Sequence, residues 1–116
     1  MPPATLDFEK QPESTDTQLI LRLNGKVSLE TVHTFISQLR PESAPVLILD
    51  MSGVTFLDSA GVGALVRVFV HRKEVGNKFA LVGLTPQGVA VMQVSGLIKL
   101  LPIYATPAEA LASLKA

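Results

Sequence analysis

The sequence predicts an α/β domain built on a mixed, mostly parallel sheet of four to five strands with about four helices. Three observations carry that prediction. Short apolar runs alternate with segments of helical periodicity from residue 18 onward. Two of the runs, Val46–Leu49 and Phe79–Leu84, are almost continuously apolar, as strands buried on both faces are. Proline, serine, aspartate and glycine punctuate the segments where caps and turns need them. Alternation of this kind favours crossovers that set helices on the faces of a parallel sheet. No internal repeat or linker divides the chain.

The first 17 residues are polar and hold three prolines, which predicts a tail, although Thr5–Glu9 alternates as an edge strand would. The domain proper is expected over 18–116. Gln18–Leu23 reads as a strand and Asn24-Gly25 as the turn after it. Ser28 is placed to cap a helix whose apolar positions Leu29, Val32, Phe35, Ile36 and Leu39 recur at three- and four-residue spacing before Pro41. Val46–Leu49 is the central strand, stopping at Asp50. Asp58 or Ser59 caps a helix to about Val75, closed by Gly76-Asn77, with Leu65, Val66, Phe69 and Val70 as its buried stripe. Arg67, Arg72, Lys73 and Glu74 fall on or beside its wet side. Phe79–Leu84 is a strand, Pro86 to about Val94 a helix ended by Ser95-Gly96, and Lys99–Tyr104 an edge strand interrupted by Pro102. Thr106-Pro107 opens a terminal helix through Leu114.

Composition narrows the function classes. The 116 residues are 47% hydrophobic and 17% charged, enough to bury a core without disulfides. Ten basic residues balance ten acidic ones without a basic stripe, so the electrostatic footprint of nucleic-acid binding is missing. The apolar runs are far shorter than the ~20 residues a membrane span needs. The N-terminal residues lack the basic start and apolar stretch of a secretion signal. A cytoplasmic protein without direct nucleic-acid contact or membrane insertion is expected, with a monomer as the default state.

Enzyme chemistry finds little to build on. The only histidines, His33 and His71, lie on different predicted helices, and there is no cysteine, so no metal centre is expected. Ser59 lacks the first glycine of a GxSxG nucleophile elbow. Gly61-Val62-Gly63 falls inside a predicted helix start instead of a turn directly after a strand, which reads as close packing, not a dinucleotide fingerprint. No GxxxxGK[ST] phosphate cradle occurs. No cofactor and no catalytic residue is assigned.

What remains is the segment VLILDMSGVTFLDSAGVG, Val46 to Gly63. A buried strand delivers Asp50 to a sheet edge, a loop follows, and Asp58-Ser59 stand where the next helix begins. A helix N-terminus carries unpaired amides and about half a positive charge, a favourable place for a phosphate or a capping carboxylate. A serine there is small and accessible. Capping alone accounts for the same residues, and spacing does not separate the two readings.

The run Val54-Thr55-Phe56-Leu57-Asp58-Ser59-Ala60-Gly61-Val62-Gly63 after Leu49-Asp50 closely resembles the STAS family, and within it the bacterial anti-sigma factor antagonists. Leu81-Val82-Gly83-Leu84-Thr85-Pro86, Gly96-Leu97, Ile103-Tyr104 and Glu109-Ala110-Leu111 extend the likeness over about residues 18–114. The resemblance implies that Ser59 is phosphorylated by a partner that is both anti-sigma factor and serine kinase. It implies that the unphosphorylated form binds that kinase and frees the sigma factor, and that a PP2C-type phosphatase restores the serine. No nucleotide is held by the chain itself. Asp50, Thr55, Phe56, Asp58, Ser59 and Gly61 are the partner-binding residues this points to, although Phe56 and Leu57 also fit burial beneath the loop. Where relatives often carry an aspartate after the second strand, this chain has Ser28, which bears on partner affinity more than on fold. Ser52 and Thr55 are further hydroxyls in the loop.

Phosphorylation adds nearly two negative charges beside Asp58 and near Asp50. Like charges ~4 Å apart repel by about 4 kcal/mol at an effective dielectric of ~20, and the helix terminus returns ~1 kcal/mol. A surface site leaves the domain folded, but an interface packed on a neutral hydroxyl has to desolvate the new charge. A loss of ~2.8 kcal/mol weakens a complex a hundredfold. The expected device is therefore a binding switch. The competing readings are a non-switching STAS adaptor, for example of an ABC-type lipid transporter, with Ser59 only a helix cap, and a small-molecule sensor or enzyme on the same fold.

Overall fold

The computed structural model of the chain describes residues 5–114. The expected tail residues 1–4 and the last two residues of the expected domain lie outside that range. The element order is β1 (Leu6–Lys10), β2 (Gln18–Val27), α1 (Val32–Leu39), β3 (Val46–Leu57), α2 (Ser59–Glu74), β4 (Lys78–Val82), α3 (Pro86–Val94), β5 (Ile103–Tyr104) and α4 (Pro107–Leu114). The strands form one sheet in chain order, β1-β2-β3-β4-β5. Only β1 runs antiparallel to its neighbour; β2, β3, β4 and β5 are parallel. The mixed, mostly parallel α/β architecture with five strands and four helices is the one expected.

Burial on both faces fixes the central strands. Leu47, Ile48 and Leu49 are fully buried, and their side chains alternate between two cores. On one face Leu23, Leu47, Leu49, Phe79 and Leu81 join Phe35 and Leu39 of α1, Val62 and Leu65 of α2, and Met92 of α3. On the other, Ile20, Ile48, Ala80 and Val82 meet Ala110 of α4. A one-residue slip of β3 would exchange these two sets, so the sheet register is strongly specified.

Four differences from the sequence reading matter for the site. Asn24-Gly25 is not a turn: β2 runs through it to Val27 with register irregularities on either side. Gly25 adopts φ +120°, and its backbone passes so close to the Thr5 carbonyl that a Cβ would stand 2.2 Å from it. Because β2 continues, β3 has a pairing partner beyond Asp50 and extends to Leu57. Ser28 does not cap α1, which begins four residues later. Its amide donates to Thr31 Oγ1 at 3.0 Å, and Leu29, expected on the apolar face, is 73% exposed. β4 ends at Val82, where Gly83 turns at φ +67°, and β5 is reduced to Ile103–Tyr104.

The fourth difference lies in α2. Val70, expected in the buried stripe, is 43% exposed, whereas Arg72, expected at the wet side, is 1% exposed. The Arg72 side chain reaches past the end of the sheet. It donates from Nε and Nη2 to the Lys78 carbonyl at 3.0 and 2.9 Å, from Nη1 to the Glu42 carbonyl at 3.3 Å, and from Nη2 to the Ala44 carbonyl. These carbonyls lie on the segments leading into β3 and β4. Burial pushes the guanidinium below its ordinary pKa, and the Glu42 charge offsets part of that shift. One cation thus ties the entries of both central strands to α2. The other helix ends follow the sequence: Thr85 caps α3 by accepting from the Gly88 amide at 3.1 Å, and Thr106 Oγ1 accepts from Glu109 at 3.2 Å.

Candidate functional site

The junction of β3 and α2 holds the serine that the sequence singles out. Leu57 ends β3 in a buried position, Asp58 turns the chain in extended conformation, and Ser59 is the first residue of α2, exposed to solvent. Asp58 is the cap: its Oδ1 accepts from the Gly61 amide at 2.8 Å. Its second oxygen, Oδ2, accepts from the Leu29 amide at 3.0 Å. A single carboxylate therefore joins the start of α2 to the β2–α1 link, and both its oxygens hold backbone donors. The Asp58 amide in turn donates to the Val27 carbonyl at 3.3 Å.

Gly61 explains the close approach. A Cβ there would lie 2.1 Å from the Val27 carbonyl oxygen and 2.9 Å from Leu57 Cδ1. Only glycine lets α2 begin so near the end of β2. Gly63, by contrast, has open space around its Cβ position, so close packing accounts for the first glycine of the pair and not the second.

The sequence-derived residues divide into three groups. Thr55, Phe56, Asp58 and Ser59 lie together at the end of β3, with Phe56 42% exposed and Leu57 beneath it buried. Gly61 is buried and contributes geometry, not surface. Asp50 stands apart: it pairs with Arg22 of β2, whereas Leu57 pairs with Val27, five β2 residues further on. Five strand steps span roughly 17 Å, beyond the screening length of about 8–10 Å. The Asp50 carboxylate instead accepts from the Ser52 amide at 2.9 Å, opposite Gly83. The electrostatic neighbour of Ser59 is Asp58.

Two residues that sequence reasoning passed over complete the site. Leu29 projects into solvent from the link that Asp58 holds. Its periodic spacing disguised it as a core position. Gln87 of α3 donates from Nε2 to the Leu57 carbonyl at 2.8 Å and accepts at Oε1 from the Leu57 amide at 3.0 Å. Its amide occupies the place of a neighbouring strand at the β3 end, which β4 does not reach. No local signal marks a glutamine thirty residues away for that role. Among the described residues no cluster of metal-ligating side chains occurs, and no helix is long and apolar enough to cross a membrane.

Comparison with known proteins agrees with this arrangement. The sequence profile of the STAS domain matches residues 9–110. The chain is 26% identical over 101 residues to an anti-sigma F factor antagonist from Paenibacillus polymyxa, covering 84% of this chain and 86% of that protein. Among solved structures, an anti-sigma factor antagonist from Mycobacterium paratuberculosis superimposes with a TM-score of 0.77 at 22% identity, covering 97% and 96% of the two chains. The anti-sigma factor antagonist SpoIIAA in its unphosphorylated form gives a TM-score of 0.72 at 22% identity, covering 94% and 96%. With the family profile covering most of the chain, from the end of β1 through the Asp58-Ser59 junction into α4, this chain belongs to the STAS domain family.

Proposed function

We propose that this chain is an anti-sigma factor antagonist that binds an anti-sigma factor with serine-kinase activity and is released when that partner phosphorylates Ser59. The supporting observation is the presentation of Ser59: exposed, at the first position of α2, and beside a carboxylate whose two oxygens are already held by backbone amides. The kinship with the Paenibacillus antagonist supports the same role. The contact surface comprises Thr55, Phe56 and Asp58 around Ser59, with Leu29 as an added apolar contact. A PP2C-type phosphatase resets the serine, and the chain acts on transcription indirectly, as a cytoplasmic monomer.

The energetics favour a binding switch. Asp58 is already engaged and cannot turn away from a phosphate at the next residue, so their repulsion persists at the surface that must pack on the partner. The fold itself has no reason to respond, because Ser59 makes no side-chain contact on which the core depends.

The test is intact mass with site mapping of the protein from its native host under phosphatase inhibition, beside a Ser59→Ala variant. One phosphate on Ser59, absent from the variant, with a kinase captured by the alanine form, is the expected result. Absence of phosphate under all growth conditions, with the same partner retained by wild type and Ser59→Asp, would refute the switch.

A further inference from the structure

Besides the β3–α2 junction the domain carries a groove that the antagonist role does not use. It lies between α1 and the C-terminal half of α2 and holds about 360 Å³. Ile36 and Leu39 of α1 and Val66 and Val70 of α2 form its apolar walls. Val70 belongs to the apolar periodicity of α2 yet stays 43% exposed here. The rim is charged with a bias: Arg40 and Arg67 line it against the single carboxylate of Glu74. In a chain with ten basic and ten acidic residues, that imbalance is local. Along α2 the groove runs from Val66, seven residues or roughly 10 Å from Ser59 at the helical rise, to Glu74.

An apolar trough with a cationic rim suits a ligand that is aliphatic along its length and anionic at one end. The volume lies near the lower end of the roughly 300–1,000 Å³ usual for small-ligand sites. An aliphatic chain can lie against these apolar walls with an anionic head group at the two arginines of the rim. We propose that the α1–α2 groove binds a single-chain aliphatic carboxylate, its chain along Ile36, Val66 and Val70 and its head group at Arg40 and Arg67.

The probe is dodecanoate, kept below its micelle concentration and titrated into ¹⁵N-labelled full chain, with dodecyltrimethylammonium as the cationic control. Saturable amide shifts confined to α1 and the second half of α2, with the cationic amphiphile at least tenfold weaker, are expected. Arg40→Gln/Arg67→Gln should weaken dodecanoate about tenfold, or ~1.4 kcal/mol. Val70→Asp, at an exposed position that folding tolerates, should abolish it by setting a carboxylate in the trough. No saturable shift, equal binding of both amphiphiles, or unchanged affinity in the arginine variant overturns the assignment. So does binding of an acidic amphipathic peptide at the groove without binding of dodecanoate.

Discussion

Replacing Asp58 by alanine removes two backbone hydrogen bonds at once, and the structure allows each to be weighed. Loss of an N-cap costs about 1 kcal/mol within a range of roughly 0.5–2. The second bond, from the Leu29 amide to Oδ2 at 3.0 Å, has a charged acceptor. Such bonds contribute about 1.5–3 kcal/mol when buried, and about 1 is appropriate where Leu29 faces solvent. The sum is ~2 kcal/mol. With a urea slope of about 2 kcal/mol per molar for a small domain, the unfolding midpoint should fall by about 1 M at unchanged slope. Asp58→Ser keeps a capping oxygen but cannot also reach Leu29, so its midpoint should fall by only about half as much. Hydrogen exchange separates the two bonds: the Leu29 amide should exchange faster in both variants, the Gly61 amide only in the alanine. If Asp58→Ser matches wild type in stability and in Leu29 exchange, the carboxylate does not join the two segments and the reasoning fails.

The remaining predictions concern the frame around the site. Arg72→Met leaves the Lys78, Glu42 and Ala44 carbonyls without their buried donor and should destabilise by about 3 kcal/mol or more, with Arg72→Lys recovering less than half in thermal unfolding. Gly61→Ala drives a Cβ to 2.1 Å from the Val27 carbonyl and should cost more than about 2 kcal/mol. Gly63→Ala, in open space on the same helix, should add roughly 0.5–1 kcal/mol, so equal denaturation midpoints for the pair would contradict the packing account. Gln87→Ala frees both polar groups of Leu57, with an expected loss of about 1 kcal/mol and faster exchange at the Leu57 amide; Gln87→Glu, which loses the donor, should recover only part.

From β2 onward the sequence alone was sufficient for the order and type of the elements, because each depends on local signals. The continuous apolar run at Val46–Leu49 marks a strand buried on both faces wherever it sits. Thr85-Pro86 and Thr106-Pro107 start helices through their own hydroxyls and fixed φ. The Asp58-Ser59 junction was legible for the same reason: a carboxylate three residues before a free amide caps a helix in any setting. Local signals left either Asp58 or Ser59 as the cap, and it was the resemblance to the STAS family that pointed to Ser59.

Tertiary structure decided whatever depends on a distant partner. β3 runs to Leu57 only because β2 passes Gly25 through an irregularity and remains beside it, and that same length carries Asp50 away from Ser59. The second oxygen of Asp58 found Leu29 across 29 residues, and Leu57 found Gln87 across 30. Periodicity put Arg72 in water and Val70 in the core, since it registers hydrophobicity and not the cluster of strand-entry carbonyls that holds a buried guanidinium. A pattern along one chain specifies which faces are apolar; which of them meet is set by the packing of elements far apart in sequence.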